Sequence, residues 1–166
     1  MGAAGTTVGI SLREPAHRVS PRARTMWHLS AVVEGVFAVA LLTGAVLLWD
    51  RVPAWTIAAL AVVQVGWAAV VPRWRYLVHR WETTETAVYT QTGWWARERR
   101  IAPMSRIQTV DYAEGPVARL FGLARVTITT ASAAGAISID GLDRDTARRL
   151  VDDLTLRADA VEGDAT

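Results

Sequence analysis

A chain of 166 residues, 51% hydrophobic with mean hydropathy +0.19, is too short for a large multispan transporter but long enough for one helical hairpin and one small domain. Cysteine is absent, which excludes disulfide scaffolds, thiolate metal sites and cysteine nucleophiles. The net charge is only +2, and the basic residues are all Arg gathered mostly beside apolar runs, a pattern without a nucleic-acid signature.

The first 25 residues are rich in Gly, Ala, Thr and Arg and read as a disordered basic segment. Two apolar runs follow, 29–49 and 55–71, each near the roughly 20 residues that cross a hydrocarbon core. They predict a transmembrane helical hairpin over 26–79, with spans of about 29–49 and 55–72. Arg13, Arg18, Arg22 and Arg24 precede the first span and Arg73, Arg75 and Arg80 follow the second, while the connector offers only Arg51 beside Asp50. Positive charge at membrane ends is retained in the cytoplasm, so both termini are expected inside. Trp27, Trp49, Trp55 and Trp74 fall at the four expected interfaces, where an indole buries its ring and still hydrogen-bonds. A cleaved signal peptide fits poorly, because the apolar run is too long, starts late and is followed at once by a second. Twin-arginine export needs adjacent arginines, and Ala23 separates Arg22 from Arg24.

Glu34 and Gln64 are the polar residues inside the spans, and an intramembrane carboxylate is a functional candidate. Folding the hairpin about its connector sets Gln64 opposite Ala40 and Glu34 opposite 69–70, which holds the two polar groups roughly 9 Å apart along the axis. Glu34 is then expected to snorkel towards water or an arginine, since neither span holds the further ionisable groups a proton relay needs. Ala31 with Gly35, and Ala40 with Gly44, give small residues at four-residue spacing, suited to close helix contact within the hairpin or between copies.

From Arg80 the pattern changes to short alternating stretches. Residues 87–92 form one predicted strand and 94–102 the next, with Gly93 in a tight turn between them. Strands at 107–112, 125–129 and 137–139 follow, the last pair joined by a turn at 132–135. Asp143 is placed to cap a helix whose Ala147, Leu150, Val151 and Leu154 form one apolar stripe. That stripe needs a sheet to cover, and the domain is taken as 80–157 with a disordered tail at 158–166.

The stretches 80–89, Gly93-Trp-Trp, 101–111, 115–124 and 127–131 together resemble bacterial pleckstrin-homology-like (PH-like) membrane proteins of the YdbS-like type, the blocks 103–108 and 115–122 being the most specific. The resemblance spans about 29–154 and implies an α+β membrane protein. In it, a two-helix hairpin precedes a seven-stranded, strongly bent antiparallel sheet closed at one end by a C-terminal helix. It implies no catalytic residues and no cofactor, and places the chain in the bacterial cytoplasmic membrane.

Arg106 and Gln108 flank Ile107 and offer a guanidinium and an amide to an acidic or peptide partner, or to nearby turn backbone. Gly115 to Gly122 reads as a turn and short helix whose Val117, Leu120 and Phe121 either pack into the core or form a partner-facing ledge with Arg119 at its rim. Trp94 and Trp95 at a hairpin tip are candidates for membrane contact or for burial. The loop expected to hold phosphoinositides in this fold would be 82–86, and its two carboxylates make a poor phosphate cradle. No phosphate-binding loop, nucleophile elbow or dinucleotide fingerprint is present, and His17, His28 and His79 lack metal-ligand spacing.

The residues therefore predict a non-enzymatic PH-like module anchored by its hairpin in membrane lipid. Its expected partner is a membrane or cytoplasmic protein or a second copy of the chain. The rival is binding of anionic lipid through Trp94, Trp95, Arg97, Arg99 and Arg100. A further alternative is an accessory subunit of a transport or envelope-enzyme complex that uses Glu34.

Overall fold

In the computed structural model, residues 14–49, 52–94, 96–131 and 135–163 are described. The chain runs through β1 (His17–Arg18), α1 (Pro21–Leu48), α2 (Trp55–Val78), β2 (Arg80–Thr83), β3 (Ala87–Thr92) and β4 (Glu98–Pro103). A 3-10 turn (Met104–Arg106) leads to β5 (Ile107–Ala113), α3 (Pro116–Leu120), β6 (Leu123–Thr130), β7 (Ile137–Asp143) and α4 (Arg144–Gly163).

Both α1 and α2 are long and apolar enough to cross a membrane, and no more than 11% of the most apolar stretch of either is buried within the protein. Val33, Val36, Phe37, Leu41, Val62 and Val63 are among the side chains left exposed, a surface that water would not tolerate and that lipid covers. The 28 residues of α1 reach about 42 Å, roughly 12 Å more than a hydrocarbon core, so its first two turns belong to the domain.

Among the described residues seven antiparallel strands form two sheets, in the orders β1-β2-β3-β4 and β5-β6-β7, the strand number that the resemblance implies. Strand β3 covers the predicted 87–92 residue for residue. The strand predicted at 94–102 starts only at Glu98, because Gly93 opens a wider loop at φ +132° in which a Cβ would strike the Ala96 carbonyl. Alternation along β6 and β7 buries Val126, Ile128, Ile137 and Ile139, and α4 lays Ala147, Leu150 and Leu154 over them. The sequence reading missed β1 and β2. The latter carries Glu82, which is buried and accepts from the Ala16 amide at 3.0 Å instead of sitting in a loop.

Within 14–25, expected to be disordered, His17–Arg18 form a strand and the helix begins at Pro21. Ser20 followed by Pro21 is a helix-start signal that the hydropathy pattern hides: the Ser20 hydroxyl accepts from the Arg22 amide, and Pro21 needs no donor at the first position. Ser20 also ties helix to sheet, its amide donating to Gly141 O at 2.9 Å and its hydroxyl to Asp143 at 2.8 Å. Asp143 stands just before α4, where a cap is expected, but its carboxylate accepts from Ser20. The tail from 158, also expected to be disordered, continues α4 to Gly163, since nothing between Leu154 and Gly163 breaks a helix.

The height of Gln64 differs too. It packs on Gly35, not opposite Ala40: a Cβ on Gly35 would lie 3.3 Å from that of Gln64, and His28 donates from Nδ1 to Ala68 O at 2.9 Å. Gln64 is therefore level with Glu34, which is exposed. The missing side chain at Gly35 leaves a notch that a symmetric hairpin does not anticipate. Gly35 serves contact within the hairpin, whereas Gly44 faces open space.

Candidate functional site

Where the helices enter the domain, the two form one joint. Ala23 is fully buried against Gly141, and Trp27, only 7% exposed, lies beside the His79 ring at 5.6 Å with the Arg75 guanidinium over its face at 4.2 Å. Trp27 is therefore part of the domain core, not a membrane-interface residue. The first turns of α1 are covered by protein before the helix meets lipid. Trp49, Trp55 and Trp74 are exposed. Trp94 is half-exposed, and Trp95 lies outside the described residues.

Beside this joint opens a cleft of about 660 Å³, walled by α2, the outer half of the β3–β4 hairpin and the edge of β7. Cross-strand partners Val88 and Ala102 face the core, and on the same face Thr90 with Arg100 and Thr92 with Glu98 continue along the hairpin into the cleft. Ser138 and Asp140 on β7 supply the opposite side. Above them stand Val71 and Trp67 of α2, and Trp94 of the β3–β4 loop packs on Trp67 at a ring separation of 5.2 Å. Trp67 is about 16 Å up the helix from Val78, inside the apolar run, so one wall of the cleft is membrane-spanning residues and the other is domain.

The charged side chains of this cleft are paired, Asp140 being held by Arg125 as well as by Arg75. Arg75 bonds Asp140 at 3.4 Å, and Arg100 bonds Glu98 at 2.6 Å. His79 lines the same cleft, is 5% exposed, and its Nε2 has no hydrogen-bond partner among the described residues. Burial, with the Arg75 charge adding to it, lowers the His79 pKa to about 4, so the ring is neutral at physiological pH.

Other candidate residues are dispersed. Arg106 ends the 3-10 turn, so only Gln108 is on β5, at the irregularity between Ile107 and Thr109; both side chains are exposed. The length of β5, about 20 Å, separates this pair from α3. On α3 the apolar residues divide: Ala118 and Phe121 pack against the core, while Leu120 is 85% exposed and Val117 is also exposed, with exposed Arg119 between them. The loop at 84–86 is closed by the Thr84 hydroxyl on Ala87 O and by Arg157 of α4 on Thr84 O at 3.1 Å. Among the described residues no cluster of three or more His, Asp or Glu could hold a metal.

The basic group read as a lipid-headgroup site is engaged within the chain. Glu14 lies 3.4 Å from Arg97, 3.8 Å from Arg80 and 3.9 Å from Arg99, and Arg100 has Glu98. Sequence reasoning missed Glu14 because an isolated acid in a tail carries no periodic signal.

Residues 28–158 match the family described as bacterial PH domain. The chain is similar to UPF0699 transmembrane protein YdbS of Bacillus subtilis (strain 168), with 28% identity over 157 residues that cover 91% of this chain and 98% of that protein. No solved structure matches significantly. A family match over most of the chain, similarity to a transmembrane protein along nearly its whole length and two lipid-suited helices agree: this protein is a YdbS-like membrane protein of the bacterial PH domain family.

Proposed function

We propose that this chain is a non-enzymatic binding module of the cytoplasmic membrane, its termini and PH-like domain on the inner side, that docks a protein partner or a second copy of itself beside the inner leaflet. The observation that carries this reading is the α3 ledge, where Leu120 stands 85% exposed on a helix whose other face is anchored in the core. A large apolar side chain held out by a rigid mount suits a partner's pocket, with Arg119 at the rim. Internal pairing of Arg97 and Arg99 with Glu14 weakens the rival, since those cations would have to give up a carboxylate before meeting an anionic headgroup. The joint at Ser20, Ala23 and Trp27 supports a fixed presentation, because it leaves no flexible tether between hairpin and domain.

A photo-crosslinking side chain at Val117 is expected to form protein adducts in intact membranes. Leu120→Asp in the same chain should reduce them about tenfold, the equivalent of losing most of one buried leucine. Adducts of lipid mass alone would reverse the preference. Sidedness has its own check, since the chain has no cysteine to interfere. Arg149→Cys on the exposed side of α4 should react with a membrane-impermeant maleimide only after cells are opened, and labelling of unbroken cells would invert the orientation.

A further inference from the structure

The cleft between α2 and the two sheets is separate from the α3 ledge and has features the docking reading does not use. Its upper wall, Trp67 and Val71, belongs to the membrane-spanning run, and its lower part is lined by Thr90, Thr92, Ser138 and two ion pairs. Apolar and polar walls stacked along the membrane normal match the outline of an amphiphile lying in one leaflet, tails beside α2 and headgroup towards the sheets. The charge pattern is selective. Arg75 and Arg100 line the cleft with Asp140 and Glu98, and Arg125 shares Asp140 from outside the lining, so a headgroup carrying both signs can exchange with both pairs. His79 adds a second, independent sign of a ligand: a polar ring 95% buried, lining this cleft, whose Nε2 finds no hydrogen-bond partner among the described residues.

We propose that this cleft binds one zwitterionic phospholipid bearing a primary ammonium, a phosphoethanolamine headgroup. Its phosphate lies at Arg75 and Arg100, its ammonium at Asp140 and Glu98 within reach of the His79 imidazole, and its acyl chains run along Trp67 and Val71. A choline headgroup has the same net charge but no N–H to donate, so it cannot satisfy these acceptors. A glycerol headgroup brings the phosphate but no ammonium, so nothing replaces the arginines it draws away from Asp140 and Glu98.

The test uses the full chain in detergent, delipidated and titrated in parallel with phosphatidylethanolamine, phosphatidylcholine and phosphatidylglycerol of identical acyl chains, with bound lipid counted by native mass spectrometry. Phosphatidylethanolamine is expected to be retained as a single copy about tenfold more tightly than either competitor, the ratio that one charge-assisted hydrogen bond sustains. Thr92→Phe, which fills the cleft, should bring the three lipids to equal retention. Ser138→Phe fills it from the opposite wall and serves if the first variant does not fold, as judged by circular dichroism. Equal retention of the three lipids by the unaltered chain, preference for phosphatidylglycerol, or a preference that survives both fillings would each overturn the proposal. Leu120→Asp should leave lipid retention unchanged, which separates this site from the ledge.

Discussion

Gly141→Ala is expected to cost about 3 kcal/mol of stability, read as a fall of roughly 8 °C in the thermal unfolding of the detergent-solubilised chain by tryptophan fluorescence. Gly141 sits at φ +77°, a left-handed backbone that an L side chain adopts only under strain, and a Cβ there would come within 2.5 Å of the Ala23 Cβ. Ala23 is fully buried and the Ser20 amide is bonded to Gly141 O, so neither side of the contact can withdraw without opening the joint between α1 and β7. The steric part has a partner that can be deleted. Ala23→Gly alone should cost about 1 kcal/mol as a glycine inside a helix, yet combined with Gly141→Ala it should recover stability relative to that variant. Simple addition of the two losses would show that helix and sheet are not in contact there.

Stability is also expected to fall by about 3 kcal/mol as pH drops from 6.5 to 4 through His79 alone. In the unfolded chain the imidazole takes up a proton near pH 6.5; in the folded chain burial among Trp27, Arg75 and neighbouring groups delays that to about pH 4. Between those values the unfolded state binds the extra proton and the folded state does not, so acid favours unfolding. Above pH 6.5 the contribution is complete, and below 4 the slope vanishes. Desolvation is the larger cause, Arg75 repels the added charge, and Asp140 opposes both. His79→Phe should remove this slope from a denaturation series run at successive pH values, even if its stability at neutral pH differs. An unchanged slope would assign the acid sensitivity to other groups.

Residues at 29–49 and 55–71 determine the hairpin by length and composition, because a bilayer tests only those quantities. Strand β3 and the apolar stripe of α4 were equally legible, since a period of two or of three to four is written into neighbouring residues. The family was legible as well, from the blocks at 103–108 and 115–122. The sites were legible only in part: alternation marks Leu120 as apolar but does not say that the core stops at Ala118 and Phe121.

Tertiary structure alone decided what residues 14–28 do. Glu14 meets arginines 66 to 85 positions away, Ser20 meets Asp143 across 123, and Trp27 turns from the lipid interface to the core because the domain folds back around the start of α1. The cleft has the same origin, since its walls come from α2, β3, β4 and β7 and no local period links them. Periodicity reports which face of an element is apolar. Which surface covers that face, and which charge finds a partner, depends on chain closures over long separations, and those exist only once the molecule is assembled.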